Sequence, residues 1–519
     1  MKSRTLCVTV MTLLAALAVP ARLAGQEQQQ QRQQQAHHRY RFVDVGTFGG
    51  PVSYLANDPS GGGAAAGVLN HRGTVVSAAD TSISDPNYPN ICLVCPADPL
   101  IFHAFQWRDG VLTDLGALPG VNSSFANWIS RNGLVAGFSE NGAIDPLLGV
   151  PEIDAVLWKD GEIVNLGTIE GGYESNAFAA NDRGQAAGVF LNTIPDPFSP
   201  FGLQVRAFLW QEGLMQDLGT LGGPEASAYF MNERGQVAGT SLINSIPNPV
   251  TGIPTLDPFV WDGAKMIDLG TLGGTTGIPN AMNNQGQVVG LSNLTGDQSF
   301  HPFRWTKAEG MTDLGTFGGS SGQANWINEA GQVVGWATNQ GDQALFAFLW
   351  RQGMLTNLGT LKGASCSAAL GINSKSQVVG LSANACTFTA ADRRASLWEK
   401  GQVIDLNTFL PLGTDLQLTD AYNINDRGEI AGLGVPTGCG DEFTCGHAFV
   451  LIPCDDNQPD EEGCEGERET TTAAIQDSRA PVNQSLAKVI GAALTPREIA
   501  TRIQARFGRS RGFVFWPRK

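Results

Sequence analysis

Charge is scarce in this chain, and positive charge scarcest of all. Charged residues make up 16% of its 519 positions, against roughly a quarter in an ordinary soluble domain. Lys and Arg number 33 against 49 Asp and Glu, for a net charge of −16. That balance excludes the basic, phosphate-neutralising face of a nucleic-acid-binding protein. Long apolar runs are missing too. The one run, residues 6–19, is shorter than the roughly 20 residues a spanning helix needs, so the mature chain is expected to have no membrane span. There are six histidines, with no His-Glu-x-x-His among them, and no Gly-x-Ser-x-Gly elbow, P-loop or dinucleotide fingerprint occurs. The residues therefore imply no cofactor, no metal site and no catalytic residue.

Glycine is abundant, 64 residues, and it recurs in order. Asp-Leu-Gly-Thr-Leu-Gly-Gly returns in varied form with its first glycine at Gly46, Gly116, Gly167, Gly219, Gly270, Gly315 and Gly359, and Asn407 takes that place in the eighth copy. A second phrase, Ile-Asn-x-x-Gly-Gln-Val-Val-Gly, has its asparagine position at Asn70, Ser130, Asn181, Asn232, Asn283, Asn328, Asn373 and Asn425. A third, His-Ala-Phe-Leu-Trp, ends at Trp107, Trp158, Trp210, Trp261, Trp305, Trp350 and Trp398, with Leu451 in the eighth copy. A Gly-rich, β-rich repeat of this length is the signature of a propeller or a similar array.

Each copy offers four short strands, as at 266–272, 279–282, 287–292 and 302–305. Asn-x-x-Gly supplies a turn between the second and third: the asparagine carbonyl opens it and glycine takes the positive φ. In Phe346-Ala-Phe-Leu-Trp350 a period of two sets Phe346, Phe348 and Trp350 on one face, with apolar residues on the other, as for a sheet between two neighbours. Pro258 and Pro302 replace the alanine of this phrase, which predicts a strand start or an edge. The array begins with a lone Asp-Leu-Gly strand and ends with a lone Trp-type strand, two halves that complete each other if the chain closes on itself. The expected fold is all-β: an eight-bladed β-propeller of four-stranded blades closed by pairing of the N- and C-terminal strands, with a short C-terminal helical tail. An open β-solenoid or a seven-bladed ring is the alternative.

With His103-Ala-Phe105, His447-Ala-Phe449 and the two other phrases, the chain resembles the HAF-type probable extracellular repeat family of bacteria over about residues 40–453. That resemblance implies export and a repeat fold, and no catalytic residues. The histidine of the namesake phrase is replaced by Asp154, Arg206, Asp257, Phe346 and Arg394.

The flanks read separately. Lys2 and Arg4 precede the apolar run, and Val19-Pro20-Ala21 or Ala16-Leu17-Ala18 offers a cleavage site, so 1–21 is read as a secretory signal and the protein as secreted. A Gln-rich spacer fills 22–39, the repeats 40–453, an acidic cysteine-containing linker 454–485, and a basic helical segment 486–519. In the last, Thr495-Pro496-Arg497-Glu498 is a capping box ahead of a helix over 496–507. Export puts cysteines in an oxidising compartment. Setting Cys7 aside with the signal, eight remain, clustered as Cys92 with Cys95, Cys366 with Cys386, Cys439 with Cys445, and Cys454 with Cys464, and local disulfides in that pattern are expected. Asn-x-Ser/Thr sequons stand at Asn122, Asn293 and Asn483.

The repeated Asp44, Asp114, Asp217, Asp268, Asp313 and Asp405, with Asn165 and Asn357 in two copies, are read as turn caps rather than a ring of acids. Specificity is expected in the irregular parts. Insertions at 78–102, 139–153, 190–205, 240–256 and 382–394 emerge on one face of a propeller. In them or at their ends lie Asp-Pro steps at Asp85, Asp98, Asp145, Asp196 and Asp257, and they carry the aromatics Tyr88, Phe198 and Phe201. Asp98, Asp145, Asp196, Asp257 and the three aromatics are the candidate ligand-binding residues. The reading is of a monomeric, non-enzymatic binding or scaffold module for an extracellular glycan or protein. The alternative is a propeller-fold glycosidase or lyase acting on polysaccharide. Unlike titratable groups converging in one pocket would mark the enzyme, and a shallow aromatic face the binding module.

Overall fold

A computed structural model describes residues 39–55, 67–96, 98–169, 171–199, 201–249, 252–386, 389–439, 442–454 and 464. The chain divides into two compact units: Met1–Arg41 with Pro453–Thr470, and Phe42–Ile452 with Thr471–Lys519. In the first, a Cys454–Cys464 disulfide is accompanied by the Cys454 N–H donating to the Arg39 carbonyl at 2.9 Å and Arg39 Nη1 donating to the Cys464 carbonyl at 3.3 Å. The signal, the rest of the spacer and linker, and the basic helical segment lie outside the described residues, as does Asn483.

The second unit is nearly all β. Helical structure among the described residues is limited to the tetrapeptide Glu442–Cys445 and the 3-10 turns Ala390–Asp392 and Leu406–Phe409. The strands fall, copy by copy, into four-stranded antiparallel sheets. The second copy is typical: Ser124–Ile129, Val135–Ile144, Pro151–Lys159 and Glu162–Gly167. The fourth, fifth and sixth copies are joined by single parallel bridges, Leu256 to Thr276 and Phe300 to Ser321. The eighth takes its outer strand from the start of the chain: Tyr40–Asp44 lies beside His447–Pro453, and the Val45 N–H donates to the Ala448 carbonyl at 2.9 Å.

The turns obey the expected chemistry. Asn283 Oδ1 accepts the N–H groups of Gln285 and Gln287 at 3.0 and 3.1 Å, and Gly286 sits at φ +77°. In the first copy Asn70 takes the turn, accepting from Arg72 and Thr74. The asparagine amide then does something the sequence did not announce. Asn181, Asn232, Asn283, Asn328 and Asn373 each donate through Nδ2 to the backbone carbonyl of the asparagine in the following copy, at 3.0–3.3 Å. Asn425 donates in the same way to the Asn70 carbonyl at 3.0 Å, across 355 positions of sequence.

Two expectations need correction. The strand predicted over 279–282 runs over Gly273–Met282, because the pairing with the second strand continues back through the repeat phrase, Gly277 opposite Ser292 and Gly273 opposite Leu294. Pro258 and Pro302 lie neither at a strand start nor on an edge, but inside third strands, Leu256–Trp261 and Phe300–Thr306. The reason is that this N–H does not serve the ladder. In the first copy the outer strand stops at Asp114, and the Ala104 N–H turns to Ser124 Oγ of the next sheet at 2.9 Å. Ala155, Ala347 and Ala448 donate to Ser175, Ser367 and Ser53 in the same way. Where proline removes the donor, glycine replaces the serine. A Cβ on Gly277 or Gly322 would stand 2.6 or 2.9 Å from the Cδ of Pro258 or Pro302.

The core is a set of seams between sheets. Val76 and Ala104 of the first copy pack on Ala126, Ile129, Val135 and Trp158 of the second. Phe105, Phe208, Phe259, Phe303, Phe348 and Phe449, one per third strand, are fully buried; each such ring contributes about 1.5–3 kcal/mol by leaving water.

Candidate functional site

The cysteines pair as expected, Cys92–Cys95, Cys366–Cys386 and Cys439–Cys445 joining Cys454–Cys464. Cys92, Cys95 and Glu140 lie together, but the two sulfurs bind each other and offer no thiolate. Asn122 and Asn293 are 3% and 1% exposed, so neither sequon presents an acceptor at the surface.

The repeated Asp also behaves as a cap. Its Oδ1 accepts the N–H two residues on in every copy, from Gly46 on Asp44 to Asn407 on Asp405, with Asn165 and Asn357 doing the same for Gly167 and Gly359.

The Asp-Pro steps start turns and do more. Asp85, Asp145 and Asp196 stand at equivalent places in the first three copies, where each insertion leaves its second strand. Each closes its insertion through a backbone hydrogen bond, to Pro99, Val150 and Gly202 respectively. Their Oδ1 atoms accept the N–H groups of Asn87, Leu147 and Phe198 at 2.7, 2.6 and 2.9 Å. Each then faces an acid of the following copy: Asp85 acts on Glu140, Asp145 on Glu174 and Asp196 on Glu225. Burial first, and then the neighbouring carboxylate, pushes these glutamates up to about 7, about 9 and about 8. Asp145 and Glu174 are each 1% exposed, and Asp145 Oδ2 and Glu174 Oε1 have no donor. Glu174 Oε2 accepts the Ile153 N–H at 3.2 Å.

Glu174 lines a small pocket, a cavity of about 10 Å³ with room for about one water, with Leu93 and Val94 from the Cys92–Cys95 turn, Ser175 and Asn176 beside it, and Phe201 from the third insertion. The first insertion thus reaches the third copy. A second acidic cluster lies under it. Tyr54 donates through its hydroxyl to Asp98 Oδ2 at 3.3 Å, and Asp80 accepts the Val52 N–H at 3.0 Å. Burial, then the Asp98 charge, lifts Asp80 to about 7, and the Tyr54 phenol is raised as well.

Of the candidate residues, the structure brings Phe201 to the lining of the Glu174 pocket, and sets Asp145 against Glu174 outside that lining. Asp98 joins the Tyr54 cluster, and Asp196 pairs with Glu225 at the next seam. Asp257 lies elsewhere, opposite Asp268. Tyr88 is 49% exposed and Phe198 half-buried; neither lines the pocket, so the three aromatics form no common face. Glu140, Glu174 and Glu225 were missed. Their signal was a departure from the repeat: Glu174 and Glu225 stand where other copies carry Ser123, Thr276, Ser321 or Cys366.

No family model matches the sequence, and no curated protein is similar to it. Solved structures are similar in fold. Porphyromonas gingivalis dipeptidyl peptidase 4 matches at 11% identity and TM-score 0.39, over 60% of this chain and 47% of its own. The β-propeller domain of the Trilobed protease from Pyrococcus furiosus matches at 8% and 0.36, over 59% and 90%. Oligogalacturonate lyase in complex with manganese matches at 12% and 0.39, over 80% and 97%. The chain thus spans about half the length of the dipeptidyl peptidase, and the likeness concerns fold alone. The reading as a non-enzymatic binding or scaffold module is corrected here. The three aromatics form no common face, and the structure instead sets two buried carboxyl groups, Glu174 and Asp145, against each other.

Proposed function

We propose that the chain is a propeller-fold enzyme acting on polysaccharide, with the Glu174 pocket as its active site. Glu174 donates a proton to the glycosidic oxygen of the departing sugar, Asp145 is its carboxylate partner, and Phe201 offers an apolar ring for a sugar face. One observation carries this reading: Glu174 is pushed up to about 9 by burial and the facing Asp145 charge while lining a small pocket at the seam of two copies. A carboxyl group that keeps its proton at neutral pH is what general-acid catalysis of glycoside cleavage requires.

The wider reading is an exported, HAF-type, eight-bladed ring closed between its first and last strands. The run of asparagine amides that ends with Asn425 on Asn70 supports closure. The test of the active site is release of reducing ends or unsaturated products from a panel of neutral and acidic polysaccharides. Wild-type turnover is expected on at least one. Glu174→Gln is expected to lower kcat by about 10²–10⁴, the usual worth of a general acid, with an unchanged circular dichroism spectrum. Turnover that Glu174→Gln leaves intact, or none on any polysaccharide, overturns the assignment.

A further inference from the structure

The repeated Asp has a second oxygen, and its partner follows a rule. The partner comes from the first position of the His-Ala-Phe phrase, on the neighbouring third strand. In five copies it is basic. His447 lies 2.9 Å from Asp44, His103 2.8 Å from Asp114, Arg206 2.8 Å from Asp217, His301 2.8 Å from Asp313 and Arg394 3.0 Å from Asp405. In one copy the roles reverse: the cap is Asn165, and its Nδ2 donates to Asp154 Oδ2 at 2.7 Å. In another neither residue is charged, Asn357 with Phe346. In seven of the eight positions, therefore, no two carboxylates face each other. The fourth copy is the exception. There Asp268 meets Asp257.

Asp268 Oδ1 is occupied by the Gly270 N–H at 2.8 Å. Asp257 is 6% exposed, and its Oδ1 is buried with no donor. The two carboxyl groups are within hydrogen-bonding reach, and Asp268 is the one charged group acting on Asp257. We propose that this pair binds a hard divalent cation of the calcium class, which stands where the sibling copies place a guanidinium or an imidazole. All donors are oxygens, the set such ions prefer. The Asp268 side is exposed, which leaves room for water to complete the coordination shell. Two carboxylates in an open site predict weak binding, on the order of 10⁻⁴–10⁻³ M, as in other extracellular calcium modules.

The experiment is thermal unfolding of the full chain at about pH 8. Calcium chloride is titrated from a chelated start, with sodium chloride at matched ionic strength as control, and calorimetric titration runs in parallel. A saturable rise in melting temperature with calcium is expected. Asp257→His, which installs the sibling residue, is expected to abolish that rise and to lift the melting temperature in chelator. Asp268→Asn gives the same loss of response should the histidine variant fail to fold. No calcium response in the wild type, or one that survives in the folded variants, overturns the site and leaves a pair that shares a proton.

Discussion

Asn283 does two jobs with one amide. Its oxygen holds the turn and its nitrogen holds the next copy, through the Asn328 carbonyl at 3.1 Å. Asn283→Ala removes both and leaves buried backbone groups without partners. A loss of about 1–3 kcal/mol is expected in urea unfolding. Phe348 is fully buried between sheets, and Phe348→Ala is expected to cost about 3–5 kcal/mol by the same measurement. Both residues were legible from the repeat, Asn283 as a turn former and Phe348 as one face of a strand. The inter-copy bond of Asn283 was not, because side-chain nitrogen and carbonyl meet only when two copies stand side by side. Glu174 shows the same limit. Its sequence neighbours are ordinary, and its protonation comes from burial first and then from Asp145, which lies 29 positions earlier in the second insertion.

Strands carry a rule of replacement. Ala104, Ala155, Ala347 and Ala448 in third strands go with serine in the next sheet, and Pro258 and Pro302 go with glycine. Gly322→Ser alone is expected to destabilise by about 1–3 kcal/mol through overpacking against the Pro302 ring. Adding Pro302→Ala restores both the space and a donor for the new hydroxyl, so the double variant is expected to recover most of the loss. A double-mutant cycle checks this; additive effects would mean that the two positions do not meet. The Cys366–Cys386 disulfide ties the first strand of the seventh copy to the insertion after its second. It closes a loop of 20 residues, and its removal is expected to cost about 3 kcal/mol. Proline was misread from sequence because a strand interior normally needs that N–H for its ladder. Here the outer strand has already ended, a fact of sheet geometry rather than of composition.

The whole molecule responds to pH through its seams. Glu140, Glu174 and Glu225 have folded values of about 7, 9 and 8 against 4.5 for the free side chain. The folded chain therefore holds protons that the unfolded chain has released. That contribution is whole below about pH 4.5 and is lost as pH rises through those values. The histidine pairs add an acid limit. Burial works against Asp44, Asp114 and Asp313, but the histidine hydrogen bond and the backbone N–H outweigh it and hold all three below the usual carboxylate value. Their contribution is present above the free-Asp value of 3.8 and fades as pH falls below it. The melting temperature is expected to decline from about pH 5 to about pH 9, and a combined Glu140→Gln, Glu174→Gln, Glu225→Gln variant to flatten that decline. An unchanged slope would remove the seams as its cause.

The sequence by itself determined the repeat, its strands and turns, and the local cysteine pairs, because each of these is encoded within one copy or one short loop. It could not decide which acids lose their solvent and face one another. Those encounters join residues of different copies, and a carboxyl group's chemistry is fixed by what the fold packs against it.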